Sequence, residues 1–329
     1  MAAISTLSQT WDSYTVAVMA KRAPTLAKQT IDDNPLLEAM TQREISSNMG
    51  LRIEVPLEIG RNPNAGYLQS FDAMMEIVPT DVAAMAVYKP SLLACPIRFN
   101  QGEKKIDSGP EAYANLIDLR MNQARRTMAE ILNQSLYGTG ANLKTIGLGA
   151  YIPTTVGTNT VGTISESNAP FWKSQVRTGA GSWAANGHNG TANDYMLDMW
   201  ITCSSSANGQ KGSPDLLIAD PLVYQYYSAS EGQKIRITTN NPGLGGVYDS
   251  SLTYRGVPIV FDKMADAATV YFIHKGNFKW YVAPGFNMDV SPMRPVANQP
   301  FVDYCVLALY HQLVCDRRQL LGKITGWTR

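Results

Sequence analysis

The chain has little charge, little cysteine and little histidine. Only 17% of its 329 residues are charged, against roughly 25% in an average soluble protein. The 28 basic and 27 acidic residues leave a formal net charge of +1, which excludes a whole-surface attraction to nucleic acid or anionic lipid and leaves room only for local patches. No apolar run approaches the ~18 residues of a membrane span, and the mean hydropathy is -0.15. The four cysteines, Cys95, Cys203, Cys305 and Cys315, include no CxxC pair and are too few to staple a chain this long, so they read as reduced thiols. Residues 1–6 lack a basic stretch followed by an apolar one, so no secretory leader is expected and synthesis in the cytoplasm is.

Catalytic patterns are missing as well. His188, His274 and His311 are the only histidines and form no HExxH or Cys/His ligand spacing, so no metal site is expected. There is no GxSxG elbow and no phosphate loop; Gly243-Leu-Gly-Gly246 lacks the lysine and hydroxyl that phosphate binding needs. Asp32 and Asp33 precede Asn34-Pro35, where carboxylates satisfy the free N–H groups of a helix start. No catalytic, cofactor-binding or metal-binding residue is therefore expected. A hydrolase acting through Cys203 or His274 is the enzymatic alternative. The doublets Lys104-Lys105, Arg125-Arg126 and Arg317-Arg318 are short and scattered, and read as solvated faces or intersubunit ion pairs.

What is present is a succession of well-marked elements. Ile4, Leu7, Trp11, Tyr14 and Val18 recur at steps of three and four, which predicts an amphipathic N-terminal helix too short to stand alone. It packs on its own domain or reaches a neighbouring subunit as an arm. Ile53, Val55, Leu57 and Ile59 alternate with Arg52, Glu54, Pro56 and Glu58, a strand held at an edge because Pro56 has no N–H to donate. The dense turn signal from Gly60 to Gly66 follows, giving a long hairpin whose apolar face must be covered by the same domain or by a partner.

Ser108 and Glu111 stand at capping-box spacing, and Tyr113, Leu116, Ile117, Ala124, Met128, Ile131 and Leu132 then keep the helical period to Tyr137. Gly138 offers a left-handed stop. This predicts a rod of about 40 Å over residues 109–137. A Gly/Thr-rich segment with β-prone pieces such as Gly149–Pro153 comes next, and glycines between 178 and 191 mark a subdomain boundary. Beyond it, residues 194–203 and 221–231 read as helices. Residues 215–219, 256–261, 268–273 and 278–282 read as strands, with 274–277 a hairpin turn. Residues 301–314 are apolar on both parities, and their β-branched and aromatic content favours a strand. The class is α+β.

This order resembles that of the major capsid proteins of tailed bacteriophages, the family with the Hong Kong 97-type fold. The likeness is carried by Asn34-Pro-Leu-Leu37, by Leu136-Tyr-Gly-Thr-Gly140 leading to Ile146-Gly-Leu148, and by Ala169-Pro-Phe-Trp172. Asp215-Leu-Leu-Ile-Ala-Asp-Pro221 with Tyr224-Gln-Tyr226, and Tyr254-Arg-Gly-Val-Pro-Ile259, continue it. The resemblance implies an N-terminal arm over 1–49 and an extended loop over 50–95. It further implies a peripheral domain over 96–189 and 296–329, and an axial domain over 190–295. It implies a shell of hexamers and pentamers enclosing double-stranded DNA in a virion, assembled in the host cytoplasm. Ile4, Leu7, Trp11, Tyr14, Val18, Ile53, Val55, Leu57, Ile59, Arg61 and Tyr67 would be the intersubunit contacts. Some members cross-link through an extended-loop lysine; residues 60–72 contain none, so assembly is expected to be non-covalent. A long removable scaffolding segment is not expected, which leaves a separate scaffolding protein or none. Portal and decoration proteins are further expected partners, packaged DNA is expected to be touched weakly and non-specifically, and no membrane is involved. The structural alternative is a tail-tube or other ring-forming protein.

Overall fold

A computed structural model describes residues 34–46, 50–59, 65–67, 83–100, 110–178, 191–205, 212–232 and 252–327. The helices are α1 (Pro35–Thr41), α2 (Pro110–Tyr137), α3 (Leu148–Tyr151), α4 (Thr191–Ser204) and α5 (Pro221–Gly232). The first strands are β1 (Glu44–Ser46), β2 (Ile53–Glu58), β3 (Ala83–Tyr88), β4 (Ser91–Asn100), β5 (Thr160–Val161), β6 (Ile164–Ser165), β7 (Gln175–Thr178) and β8 (Leu216–Ala219). They are followed by β9 (Thr253–Tyr254), β10 (Val257–Phe261), β11 (Thr269–Ile273), β12 (Phe278–Val282), β13 (Asp289–Val290), β14 (Arg294–Val296), β15 (Gln299–Cys315) and β16 (Gly322–Thr325). The mixed α+β class is as the sequence implies. The predicted N-terminal helix and the Ser108–Glu111 cap lie outside the described residues.

The chain divides into two compact units, the first comprising residues 1–50, 90–146 and 280–313. Its backbone is β15, 17 residues long. The apolar run of residues 301–314 is this strand, and its burial explains the two-sided apolar pattern: Cys305, Leu307, Leu309 and Leu313 are buried, while Tyr304, Val306, Ala308 and Tyr310 are half-buried. A β4 partner pairs antiparallel with it from Val302↔Asn100 to His311↔Ser91. The sheet is completed by β12, β13 and β14 along β15 and by β1, which runs parallel to β12.

Against β4 lies α2, the 28-residue rod that the helical period predicts. Its buried stripe is Ile117, Met121, Ala124, Met128, Leu132 and Leu136. Arg120 ties it to the sheet by donating to the Arg98 carbonyl at 2.6 Å, with its guanidinium 5.7 Å from the Phe99 ring centroid. The stop differs from the expected one. Gly138 is not left-handed: its N–H bonds to the Ser135 carbonyl at 3.0 Å, tightening the last turn. The left-handed glycine is Gly140, where a Cβ would sit 3.1 Å from Ile146.

The second unit comprises residues 51–89, 147–279 and 314–329. Its sheet has the order β7-β16-β11-β8-β10-β9, with β16·β7 and β10·β8 parallel and β11 antiparallel to both its neighbours. Both central strands, β8 and β11, are buried at every residue, as expected where helices cover a sheet face. The core gathers Met196, Met199 and Cys203 from α4, Val223 and Tyr227 from α5, and Leu217, Ile259, Val270, Phe272 and Ile324 from the sheet. Asp220 does more than precede the proline start of α5: its Oδ2 accepts the N–H of Ala268 at 2.9 Å, holding a residue at φ +53°.

Two expectations need correction. Residues 274–277 are not a hairpin turn, because β11 and β12 belong to different sheets and a short 3₁₀ turn joins them. Gly149–Pro153 is not a strand: Leu148–Tyr151 is one helical turn that drives Tyr151 fully inside. Strand β16 pairs with β7 and β11, so Gln175–Thr178 and Gly322–Thr325 lie in the second unit's sheet.

Candidate interaction surfaces

The chemistry available for catalysis is sparse. Among the described residues no cluster of three His, Cys, Asp or Glu side chains has metal-binding geometry, and no helix is long and apolar enough to cross a membrane. All four cysteines are free thiols. Burial holds the thiol form throughout, pushing Cys305 up to about 11 and Cys315 up to about 12, and raising Cys95 and Cys203 as well. A buried neutral thiol is a poor nucleophile. Cys203 is packed so closely that a Cβ on Gly322 would meet its Sγ at 2.6 Å. His311 is neutral and structural: it stacks on Trp280 at 4.8 Å, and burial lowers its pKa to about 4.

The hairpin of β2 and β3 places several of the sequence-derived contact residues. Its register runs from Ile53↔Tyr88 to Glu58↔Ala83, a two-stranded ribbon, and Pro56 is tolerated there because it leaves a free edge. Ile53, Val55 and Leu57 are buried within their own chain and Ile59 is half-buried. The hairpin's apolar face is thus largely covered within its own chain, with Ile59 at its end the least covered of the four. The anchor is Tyr88, fully buried, which donates to the Cys315 carbonyl at 3.2 Å and lies 6.3 Å from the Tyr151 ring. Val87 N–H bonds to the Gly162 carbonyl at 3.0 Å. Gly162, at φ +61°, leaves the space that Tyr88 and Ala86 fill; a Cβ there would sit 3.0 Å from the Tyr88 ring. What the hairpin offers to a partner is its other face, Glu54, Pro56, Glu58 and Met85, together with the fully exposed Tyr67. Ile4, Leu7, Trp11, Tyr14, Val18 and Arg61 lie outside the described residues.

Further exposed apolar groups occur on both units. In the second, Leu222 opens α5 and Phe261 and Met264 end and follow β10, all exposed. Phe261 pairs in register with Ala219, two residues before the helix begins, and its ring lies 5.2 Å from Tyr224. These side chains share the C-terminal end of the parallel β8·β10 pair. In the first, Leu119 and Ile131 project from α2 and Leu92 and Phe301 from the β4·β15 pair. The predicted inward position of Ile131 is therefore corrected.

Sequence reasoning missed two buried arginines. The doublets Arg125-Arg126 and Arg317-Arg318 each split, with Arg126 and Arg317 in solvent and Arg125 and Arg318 inside. The signal was available for Arg125: it stands four residues from Met121 and from Ala129, on the buried stripe of α2. Arg318 is ion-paired with Glu166 at 2.5 Å, both side chains 0% exposed. Its Nε also donates to the Tyr151 carbonyl at 2.9 Å and Nη2 to that of Ala150 at 3.2 Å, while Glu166 Oε2 accepts the Gly157 N–H at 2.7 Å. Arg125 has no such partner.

No family model and no curated protein matches the chain. Solved structures do. The chain is similar to the capsid asymmetric unit of cyanophage A-1(L) at 17% identity and TM-score 0.63, over 90% of this chain and 93% of that one. It is similar to the capsid of the native GTA particle at 12% identity and TM-score 0.57, over 88% and 90%. The holo-SrpI encapsulin complex of Synechococcus elongatus PCC 7942 is also similar, at 11% identity and TM-score 0.53, over 90% and 88%. Over about nine tenths of its length the chain thus shares the fold of those capsid subunits, the Hong Kong 97-type fold of phage capsid proteins.

Proposed function

We propose that this chain is the major capsid protein of a tailed phage, a structural subunit that self-assembles by non-covalent contacts into the pentamers and hexamers of a closed shell around double-stranded DNA. The observation that carries this reading is the likeness to the cyanophage capsid subunit over 90% of the chain. In this role the first unit is the peripheral domain, residues 147–279 of the second serve as the axial domain around symmetry axes, and the hairpin of residues 51–89 is the extended loop. Shell closure multiplies many modest contacts, each gaining on the order of 25 cal/mol per Å² of apolar area before entropic losses. The near-neutral charge fits a container that holds DNA weakly and releases it. Assembly takes place in the host cytoplasm, with a separate scaffolding protein or none and with portal and decoration proteins as partners, and the product is the virion.

Expression of the chain alone followed by negative-stain microscopy tests the reading. Closed shells are expected; tubes would favour the tail-tube alternative, and a lone monomer would refute both. Reduced, boiled particles are expected to run as single chains, and a ladder of joined chains would overturn non-covalent assembly. The likeness to the encapsulin complex favours a second reading, a shell whose contents are not a genome. Particles from the native source that protect long duplex DNA from nuclease would decide for the capsid.

A further inference from the structure

We propose that a cavity beside Arg125 in the first unit is a carboxylate-binding pocket, occupied in the assembled protein by an Asp or Glu side chain of a second copy of this chain. The identity of that occupant rests on the proposed self-assembly; the carboxylate chemistry does not.

The cavity has a volume of about 120 Å³, far above the ~10–15 Å³ that a single water requires. Leu37, Ala129, Leu132, Trp280 and Leu309 make apolar walls, and Glu44 and Asn287 stand at an exposed rim. One cation lines it, Arg125, which is 2% exposed. Its Nε, Nη1 and Nη2 are shielded from solvent and have no hydrogen-bond acceptor among the described residues. A buried guanidinium left this way is costly by several kcal/mol, and such a charge persists where something completes it. Burial accordingly lowers its pKa from the ordinary arginine value.

The nearest carboxylate does not complete it. Glu44 Oε1 accepts from Asn287 Nδ2 at 2.8 Å, and no Arg125 nitrogen hydrogen-bonds to Glu44. Burial also raises the Glu44 pKa, so it is a weaker anion than an ordinary surface glutamate. The missing occupant has a defined chemistry: a planar acceptor pair for a bidentate guanidinium, carried on a short apolar stem that suits walls of leucine and tryptophan. An Asp or Glu side chain entering between Glu44 and Asn287 meets those terms, and a shell supplies it from an identical neighbour.

The test compares the wild-type chain with Arg125→Met and Arg125→Lys. Melting of the full-length, unassembled chain is measured in sodium propionate and in sodium chloride at equal ionic strength. Propionate is expected to raise the wild-type midpoint by about 2 °C or more over chloride and to leave Arg125→Met unmoved, with Arg125→Lys in between. Assembled Arg125→Met particles are expected to dissociate at lower denaturant than wild type although their subunits melt no earlier. Equal propionate responses in wild type and Arg125→Met would overturn the pocket, as would an Arg125→Met subunit that melts well below both others, because that outcome means Arg125 is paired within its own chain. A propionate response lost in Arg125→Met with particle stability unchanged would overturn the second copy as the source and leave a free small carboxylate as the ligand. Failure of all three chains to form particles would refute the assembly reading and leave the propionate comparison intact.

Discussion

The two units each bury one arginine, and they treat it in opposite ways. Arg318 is paired with Glu166 and bonded to the carbonyls of Ala150 and Tyr151, so it fastens the turn of α3 and the β5–β6 segment to the residues before β16. Arg125 is buried on α2 with no acceptor among the described residues. The difference teaches where each unit is finished. In the second unit Arg318 keeps an ion pair and two carbonyl partners although its Nη1 has none among the described residues, whereas in the first Arg125 keeps a charge whose partner must come from elsewhere. The hairpin belongs to the finished side: Tyr88 and Gly162 seal its apolar face within one subunit.

The sharpest contrast comes from substituting each site. Glu166→Gln strands Arg318 and is expected to cost about 3–5 kcal/mol of subunit stability by denaturant melting. Arg125→Met is expected to cost nothing or to stabilise the subunit, since a group without a partner is replaced by one that suits apolar walls. Equal losses at the two sites would erase the distinction.

Acid probes the first unit through His311. Its folded pKa of about 4 lies below the usual value near 6.5, so its neutral burial contributes fully above pH 6.5 and is lost as pH falls toward 4. The expected loss is up to about 3 kcal/mol across that window, and His311→Phe should flatten this part of the stability profile. A smaller effect tests packing in the second unit. Gly322→Ala forces a Cβ to within 2.6 Å of Cys203 Sγ and Met199 Sδ, and is expected to cost about 1–3 kcal/mol. The smallest effect is expected at the fully exposed Tyr67. Tyr67→Ser should leave subunit stability within about 0.5 kcal/mol while slowing or weakening particle formation measured by light scattering.

Elements with a sustained period were legible in the sequence. The long helix was readable because 28 residues keep one stripe, and β2 because Ile53, Val55 and Leu57 alternate strictly with polar neighbours. The strand at β15 was legible only through its β-branched and aromatic content, since both parities are apolar. Periodicity describes one element at a time and carries no information about what covers it. Hence the alternation of β2 leaves open whether its apolar face packs on its own domain or on a partner, and Tyr88 reaching Cys315, a residue 227 positions away, is what covers it within one chain. For the same reason β11 and β12 were joined as a hairpin when they enter different sheets. Charge doublets misled because adjacent helical residues point about 100° apart, so Arg125 and Arg126 never shared a face.

The central claim is that this subunit is completed by copies of itself. Sedimentation velocity of the purified full-length chain tests it most directly. The account predicts a dominant, narrow boundary of closed particles many times heavier than the 36.0 kDa chain, dissociating to subunits at high denaturant. A single boundary at the mass of one chain, unchanged up to high protein concentration, would contradict it.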